Sequence, residues 1–170
     1  LCLPGVARAD EAEELLAEGL VRLRVGKFKK SLKVLKRARR KAKDPQIKAK
    51  VYLNLGVVYA VLRKKRKARK SFTKALKLNP TLTLKKGEVK DKAINLCEEV
   101  RGGSKGKLVV KAEPAGAAVL LDGKELGKTP LTQELAVGAY KLVVRSADGM
   151  STLSRDVVIR VDQETEVKGK

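Results

Sequence analysis

The sequence has 170 residues, 43% of them apolar, which is enough to bury the core of one or two small domains. Its 40 Lys and Arg residues outnumber its 19 Asp and Glu residues, so the net charge is +21 at pH 7. Histidine is absent, which excludes His-ligated zinc or haem and every nucleophile that a histidine activates. We therefore expect no enzyme activity, no metal site and no cofactor.

The first nine residues have the features of the end of a secretory signal peptide. Residues 1–9 are mostly apolar and finish in Ala7-Arg8-Ala9, the small-x-small pattern that precedes a signal-peptidase site. The alternative is an apolar N-terminus without a targeting role. We expect export across a bacterial inner membrane, a mature chain that begins at Asp10, and a periplasmic or envelope-associated location.

Five helices are predicted in the next hundred residues from apolar periodicity and from residues that end helices. Gly26 ends the first helix, Asp44-Pro45 ends the second and Asn79-Pro80 ends the fourth. The predicted bounds are about 11–25, 28–42, 46–62, 65–78 and 88–101. This half also carries most of the charge, with 25 basic residues between positions 19 and 86 and Asp44 as the single acid.

The third and fourth predicted helices carry the residues of a known helical repeat. Small and aromatic residues recur there at fixed spacings, namely Tyr52, Leu55, Gly56, Tyr59, Ala68, Phe72, Ala75 and Pro80. This pattern resembles the tetratricopeptide repeat at every spacing. The resemblance implies two antiparallel helices whose small residues let the helix axes approach closely.

A weaker copy of the pattern lies 37 residues earlier. Its matching positions are Leu15, Gly19, Ser31, Leu35 and Ala38. It departs from the family at Glu18 and Arg22, where larger apolar or aromatic residues are usual. We expect a degenerate first repeat at 10–45, a second repeat at 46–82 and a capping helix within 83–101.

The last third of the sequence predicts β-structure. Residues 102–106 (Gly-Gly-Ser-Lys-Gly) have the composition of a short flexible linker. In 107–170, alternating runs near 107–112, 117–121, 140–145 and 155–161 are separated by glycine-rich turns, which predicts a small antiparallel β-sandwich. The expected core residues are Leu108, Val110, Leu121, Leu142, Val144, Val157 and Ile159. An outward row of Val109, Leu120, Val143 and Val158 is either a docking face or a consequence of β-propensity.

Turn residues in this region point to one family. Glu113-Pro-Ala-Gly-Ala117, Asp122-Gly123, Gly127-Lys-Thr-Pro-Leu131 and Gly138-x-Tyr140 together closely resemble the PEGA domain, although its Pro-Glu order is reversed here. The resemblance covers nearly all of 107–170 and implies a non-catalytic module of the cell envelope.

One segment imitates a phosphate-binding loop. Gly123 and Gly127 precede a Lys-Thr pair, but only three residues separate the glycines, and Pro130 stands where a helix has to begin. We therefore expect no nucleotide site at this position.

Two surfaces of the helical half are candidate binding sites. The first helices of the two repeats predict a concave partner groove, formed by Leu16, Leu20, Leu23, Lys50, Leu53, Val57, Ala60 and Val61. The groove is mainly apolar, so we do not expect it to clamp the carboxylate of a peptide terminus. Because three repeats are about the minimum for a stable array, the groove needs a cover: the chain's own helix or sandwich, a partner segment or a second copy of the protein.

The second helices predict a basic face, formed by Lys30, Lys33, Arg37, Arg40, Lys67, Lys70, Lys74 and Lys77. This set is either a solubilising surface or a binding site for a polyanion such as lipopolysaccharide, an acidic glycan, anionic lipid headgroups or nucleic acid. Base-stacking aromatic residues are absent from it, which disfavours single-strand binding.

The overall expectation is an α + β protein of two domains, with a short tetratricopeptide-type solenoid of two repeats plus a capping helix, followed by a small antiparallel β-sandwich. The expected function is a non-catalytic adaptor or scaffold of the envelope that binds a protein partner, or itself, through the partner groove and has no small-molecule substrate. The alternative is a polyanion-binding protein that uses the basic face.

Overall fold

The computed structural model describes residues 11–169, which form two compact units. The helical unit contains residues 11–79 and 84–97, and the β unit contains residues 80–83 and 98–169. The signal-peptide features predicted at residues 1–9 lie outside the described residues.

Four helices of the helical unit pack as two successive pairs. They are α1 (Glu11–Arg24), α2 (Phe28–Lys41), α3 (Pro45–Val61) and α4 (Lys65–Leu78). The pairs are α1 with α2 and α3 with α4, and α3 also packs against α2. A further helix, α5 (Asp91–Gly103), follows after an irregular segment. The five helices predicted from periodicity are confirmed at nearly the predicted bounds.

Both pairs use the same turn between their helices. Gly26 has a φ of 74°, and the N–H of the next residue donates to the carbonyl of Arg22 at 2.8 Å. Thirty-seven positions later, Arg63 has a φ of 57°, and the N–H after it donates to the carbonyl of Tyr59 at 2.8 Å. This left-handed closure satisfies carbonyls at the end of the first helix of each pair, and glycine adopts it more easily than arginine does.

The closest approach within each pair also recurs at equivalent positions. A Cβ placed on Gly56 of α3 would lie 2.5 Å from Cδ1 of Phe72 in α4, and one placed on Gly19 of α1 would lie 2.6 Å from Cδ2 of Leu35 in α2. In the first pair, the buried hydroxyl of Ser31 donates to the Gly19 carbonyl at 2.8 Å. The weaker sequence pattern therefore folds with the packing of the stronger one.

The two departures from the repeat pattern contact each other. Arg22 donates to the carboxylate of Glu18 one helical turn earlier, and both side chains are partly exposed. The ion pair places two polar side chains at the surface of α1, where larger apolar or aromatic residues are usual in the family.

Seven strands build the β unit. They are β1 (Lys105–Ala112), β2 (Ala118–Leu121), β3 (Lys124–Lys128), β4 (Leu131–Ala136), β5 (Gly138–Arg145), β6 (Thr152–Ile159) and β7 (Glu164–Gly169). They form a three-stranded sheet in the order β4-β1-β7 and a four-stranded sheet in the order β3-β2-β5-β6. All seven side chains predicted to point inward are buried in one core.

Three details of the β unit differ from the expectations. β1 and β7 pair in parallel, whereas all other pairs are antiparallel. The outward row is not one face, because Val109 belongs to the three-stranded sheet and the other three residues belong to the four-stranded sheet. The segment predicted as a linker, 102–106, consists of the end of α5, the single residue Ser104 and the start of β1.

Candidate functional site

All eight cations of the basic face are exposed. All eight of its cations lie on the solvent side of α2 and α4, two helices that contain no Asp or Glu and that both pack against α3. Opposite these cations, each helix buries small and apolar residues, including Leu35 and Ala38 in α2 and Phe72 and Ala75 in α4. Because the apolar stripe of each helix is buried, the charged side chains on the opposite side of the helix face the solvent.

One member of the basic face has an aromatic contact. Nζ of Lys74 lies 5.4 Å from the centre of the Tyr52 ring, within the range of a cation–π interaction. The contact therefore joins the two helices of the second pair, with Lys74 on α4 and Tyr52 on α3.

The partner groove is mostly closed within the chain. Val57, Ala60 and Leu53 are only 1%, 5% and 6% exposed, and Leu16 and Leu23 are also buried. Leu20 and Val61 are half-buried, and Lys50 is exposed. The structure therefore places most of these side chains in the core of the helical unit, and no second molecule is needed to bury them. Their role in partner binding stays a prediction.

Part of the groove remains open as a hollow of about 290 Å³, which we call the groove opening. Its apolar lining comes from Leu23, Phe28, Val57 and Val61, and its remaining lining from Arg24, Gly26 and residues 87–90. The segment 87–90 precedes α5 and was not part of the predicted groove. The repeat pattern does not extend over it, so sequence reasoning had no signal for this contribution.

Polar groups near the groove are already engaged. Nδ2 of Asn54 donates to the carbonyl of Lys50 on the same helix at 2.9 Å. This bond turns the Asn54 amide back onto its own helix.

The segment that imitates a phosphate-binding loop is a strand and a turn. Residues 124–128 form β3, and the following Thr129 is 4% exposed. Its Oγ1 accepts from the N–H of Ala117 at 3.1 Å, and its own N–H donates to the Ala117 carbonyl at 2.8 Å. The threonine that would bind a metal or phosphate in a nucleotide site thus fastens β3 to the turn before β2.

Comparison with known families agrees with this architecture. Residues 49–82 match the tetratricopeptide repeat, and residues 105–170 match the PEGA domain. The chain carries a tetratricopeptide repeat followed by a PEGA domain. No curated protein and no solved structure matches it in these comparisons.

The two families narrow the possible roles. Tetratricopeptide repeats generally mediate protein–protein interactions, and PEGA domains occur in extracellular or periplasmic proteins. Both are interaction-type domains without catalytic activity. Among residues 11–169, no helix has the length and apolar character that crossing a bilayer requires.

A third candidate site lies at the start of the second helix of the matched repeat. Five residues, Lys64, Lys65, Arg66, Lys67 and Lys70, line a hollow of about 490 Å³, which we call the cationic hollow. Lys67 and Lys70 were predicted as members of the basic face, whereas the other three were missed. The signal that could have found them is the run of seven basic residues among the eight at 63–70.

Proposed function

We propose that this protein is an exported, non-catalytic adaptor whose tetratricopeptide unit binds a protein partner at the groove opening. The single observation that carries the proposal is the apolar hollow that remains between α1, α3 and the segment 87–90. The family's general role in protein–protein interaction supports it.

The lining of the groove opening suggests the chemistry of the partner. Leu23, Phe28 and Val61 favour apolar side chains, while Arg24 and Lys90 are cations of the same lining, with Glu88 as its single acid. The helical half is also strongly basic. A short amphipathic segment with acidic residues fits this combination, because its apolar side enters the hollow and its carboxylates face the cations.

A photo-crosslinking amino acid at position 61 tests this proposal. Val61 is half-buried and lines the groove opening, whereas Leu53 and Val57 are too deeply buried to be replaced without unfolding the unit. The control is the same amino acid at Val21, which is 58% exposed on α1 and does not line the opening. We expect one envelope protein to crosslink from position 61 and not from 21, and the substitution Val61→Asp to weaken its binding. Equal crosslinking from both positions would contradict the proposal.

Export is a separate part of the proposal. It is supported by the pattern at residues 7–9 and by the occurrence of PEGA domains in extracellular or periplasmic proteins. In cells that express the protein from its own gene, fractionation should recover it with the periplasm or the membranes. Recovery with cytoplasmic markers would contradict this part.

A second candidate function is binding of a polyanion by the basic face. The observation that favours it is that all eight cations are exposed on two helices without an acid. Like charges on neighbouring helices create a positive potential that attracts polyanions, and salt screens this attraction. We expect retention on heparin or lipopolysaccharide at low salt, and weaker retention after joint replacement of Lys33, Arg37, Lys70 and Lys74 by Glu. Unchanged retention would reject this candidate.

A further inference from the structure

The cationic hollow is unusual because every residue that lines it is a cation. Its five side chains come from the N-cap and the first turns of α4. Across the described residues, 11–169, none of these five side chains is paired with a carboxylate. Because all five side chains that line the hollow end in a positive charge, an anion bound beside them lowers the electrostatic free energy of the folded state.

The backbone adds to the positive potential. The N-cap of α3 is Asp44, whose carboxylate accepts from the N–H groups of Gln46 and Ile47. The N-cap of α4 is Lys64, whose side chain makes no capping bond, and the first turn of α4 contains no acid. The positive end of the α4 dipole therefore coincides with the five cations.

The equivalent position in the first repeat differs in one decisive residue. α2 also begins after an N-cap lysine, Lys27, with similar backbone angles and no side-chain cap. Thirty-seven positions before Lys65, however, stands Phe28, and this residue lines the apolar groove opening instead. The fully cationic hollow is therefore a property of the second repeat.

We propose that the cationic hollow binds phosphate groups displayed on an anionic lipid surface. The proposal rests on the second candidate function above: it names the ligand and places the main contact at the hollow, which Lys67 and Lys70 of the basic face also line. Lysine binds phosphate as a point charge, and several lysines can each contact a different phosphate of a lipid surface. No aromatic side chain lines the hollow for a nucleic-acid base to stack on, which favours lipid over single-stranded nucleic acid.

Two charge-matched triple variants of the full chain test this assignment. The first replaces Lys64, Lys65 and Arg66 by Gln and removes three charges from the hollow. The second replaces Lys30, Lys33 and Arg37 by Gln and removes three charges from the basic face on α2. All six side chains are exposed, so both variants should keep the helical circular dichroism of the parent. Binding is measured by co-sedimentation with phosphatidylcholine vesicles with and without phosphatidic acid, and by calorimetric titration with inorganic phosphate.

We expect the parent to bind only the vesicles that contain phosphatidic acid. At about 1 kcal/mol for each cation at the surface, the hollow variant should bind about 100-fold more weakly. The basic-face variant should lose less than about tenfold, because its three charges do not line the hollow.

The other outcomes show whether the site, the ligand or the second candidate function is wrong. Equal weakening in both variants would overturn the site, because net charge alone would then explain binding. Loss of inorganic phosphate binding without loss of vesicle binding would overturn the lipid source and leave free phosphate as the ligand of the hollow. Tighter binding of the parent to duplex DNA than to the vesicles at the same salt concentration would also overturn the lipid source. A parent that binds neither vesicles nor heparin would reject the second candidate function together with the hollow.

Discussion

Gly56 of α3 packs directly against the ring of Phe72 in α4, and a Cβ on Gly56 would lie 2.5 Å from Cδ1 of that ring. Phe72 is fully buried, so its ring has no free space into which it can move. The absence of a side chain at position 56 therefore sets how closely the two helices of the matched repeat approach.

The substitution Gly56→Ala tests this relationship. We expect it to destabilise the helical unit by about 1–3 kcal/mol through overpacking. This loss exceeds the roughly 1 kcal/mol that alanine gains over glycine in helix propensity. Thermal unfolding followed by circular dichroism at a helical wavelength measures the effect. The control is Gly102→Ala in α5, where a Cβ meets nothing within 4 Å, and which should cause no loss. Equal melting temperatures for the two variants would contradict the packing explanation.

We expect Arg101 to stabilise the β unit more than any other single polar residue does. Its guanidinium donates to the carbonyls of Pro80 at 2.6 Å, of Leu82 and of Val137 at 3.4 Å, and its side chain is only 15% exposed. A hydrogen bond to a charged group contributes about 1.5–3 kcal/mol, so Arg101→Met should lower the free energy of unfolding by at least about this amount.

Amide hydrogen exchange at segment 81–84 tests the expected loss of stability, because exchange there should be faster in Arg101→Met than in the parent. Arg101→Lys should restore only part of the protection, because an ammonium group lacks the planar fork that reaches several carbonyls. Lys92→Met serves as the control, since it removes an exposed cation from the same helix. Unchanged exchange in Arg101→Met would show that the segment is held by other contacts.

The hydroxyl of Thr129 accepts a hydrogen bond from the backbone of Ala117. In a phosphate-binding loop, the hydroxyl at this position would contact a phosphate or a metal ion instead. Thr129→Val keeps the shape of the side chain but leaves the buried N–H of Ala117 without its hydroxyl partner. An unsatisfied buried donor costs about 1–3 kcal/mol, and the free energy of unfolding of the β unit should fall by this amount. Thr129→Ser keeps the hydroxyl and should stay closer to the parent. If the valine variant is as stable as the parent, the hydrogen bond contributes nothing.

Tyr140 makes the β unit sensitive to alkaline pH. Burial raises the pKa of its phenol above the ordinary value of 10.0, and the negative charge of Asp122 raises this pKa further, while the Arg101 cation lowers it. As the pH rises, Tyr140 therefore loses its proton at a lower pH in the unfolded chain than in the folded protein. Its contribution to stability is complete below about pH 10 and is lost as the pH rises through the pKa of the folded state.

Tyrosinate absorbance during a pH titration tests this expectation. The difference between the titrations of the parent and of Tyr140→Phe isolates the signal of Tyr140, whose midpoint should lie above pH 10. Asp122→Asn should lower the pKa of Tyr140 without removing the effect of burial, and the amide oxygen can still accept from the N–H of Lys141. Titration of Tyr140 at or below pH 10 would contradict the expected upward shift of its pKa.

Local sequence signals were sufficient for most of the secondary structure. The helices follow from the 3.6-residue spacing of apolar side chains and from residues such as Pro45 and Gly26 at their ends. Strands β1, β2, β5 and β6 follow from alternation. β3, β4 and β7 were missed because exposed polar residues such as Lys124, Gln133 and Glu166 occupy these strands, so none of them has a long alternating apolar run.

The candidate sites were predictable only in part. The basic face could be predicted, because each helix turns its charges away from an apolar stripe that the sequence already contains. The groove opening and the cationic hollow could not, because the sequence does not show that segment 87–90 lies beside Leu23 and Val57, or that the residues at 64–70 surround one concavity.

The sequence by itself determined the two families, the bounds of the helices and the positions of the small residues, because these depend on spacing and side-chain size within short segments. Only the tertiary structure decided that Leu53, Val57 and Ala60 are buried and that β7 pairs in parallel with β1. Both results depend on which distant segments meet, and chain segments far apart in sequence meet where they bury the most apolar surface together.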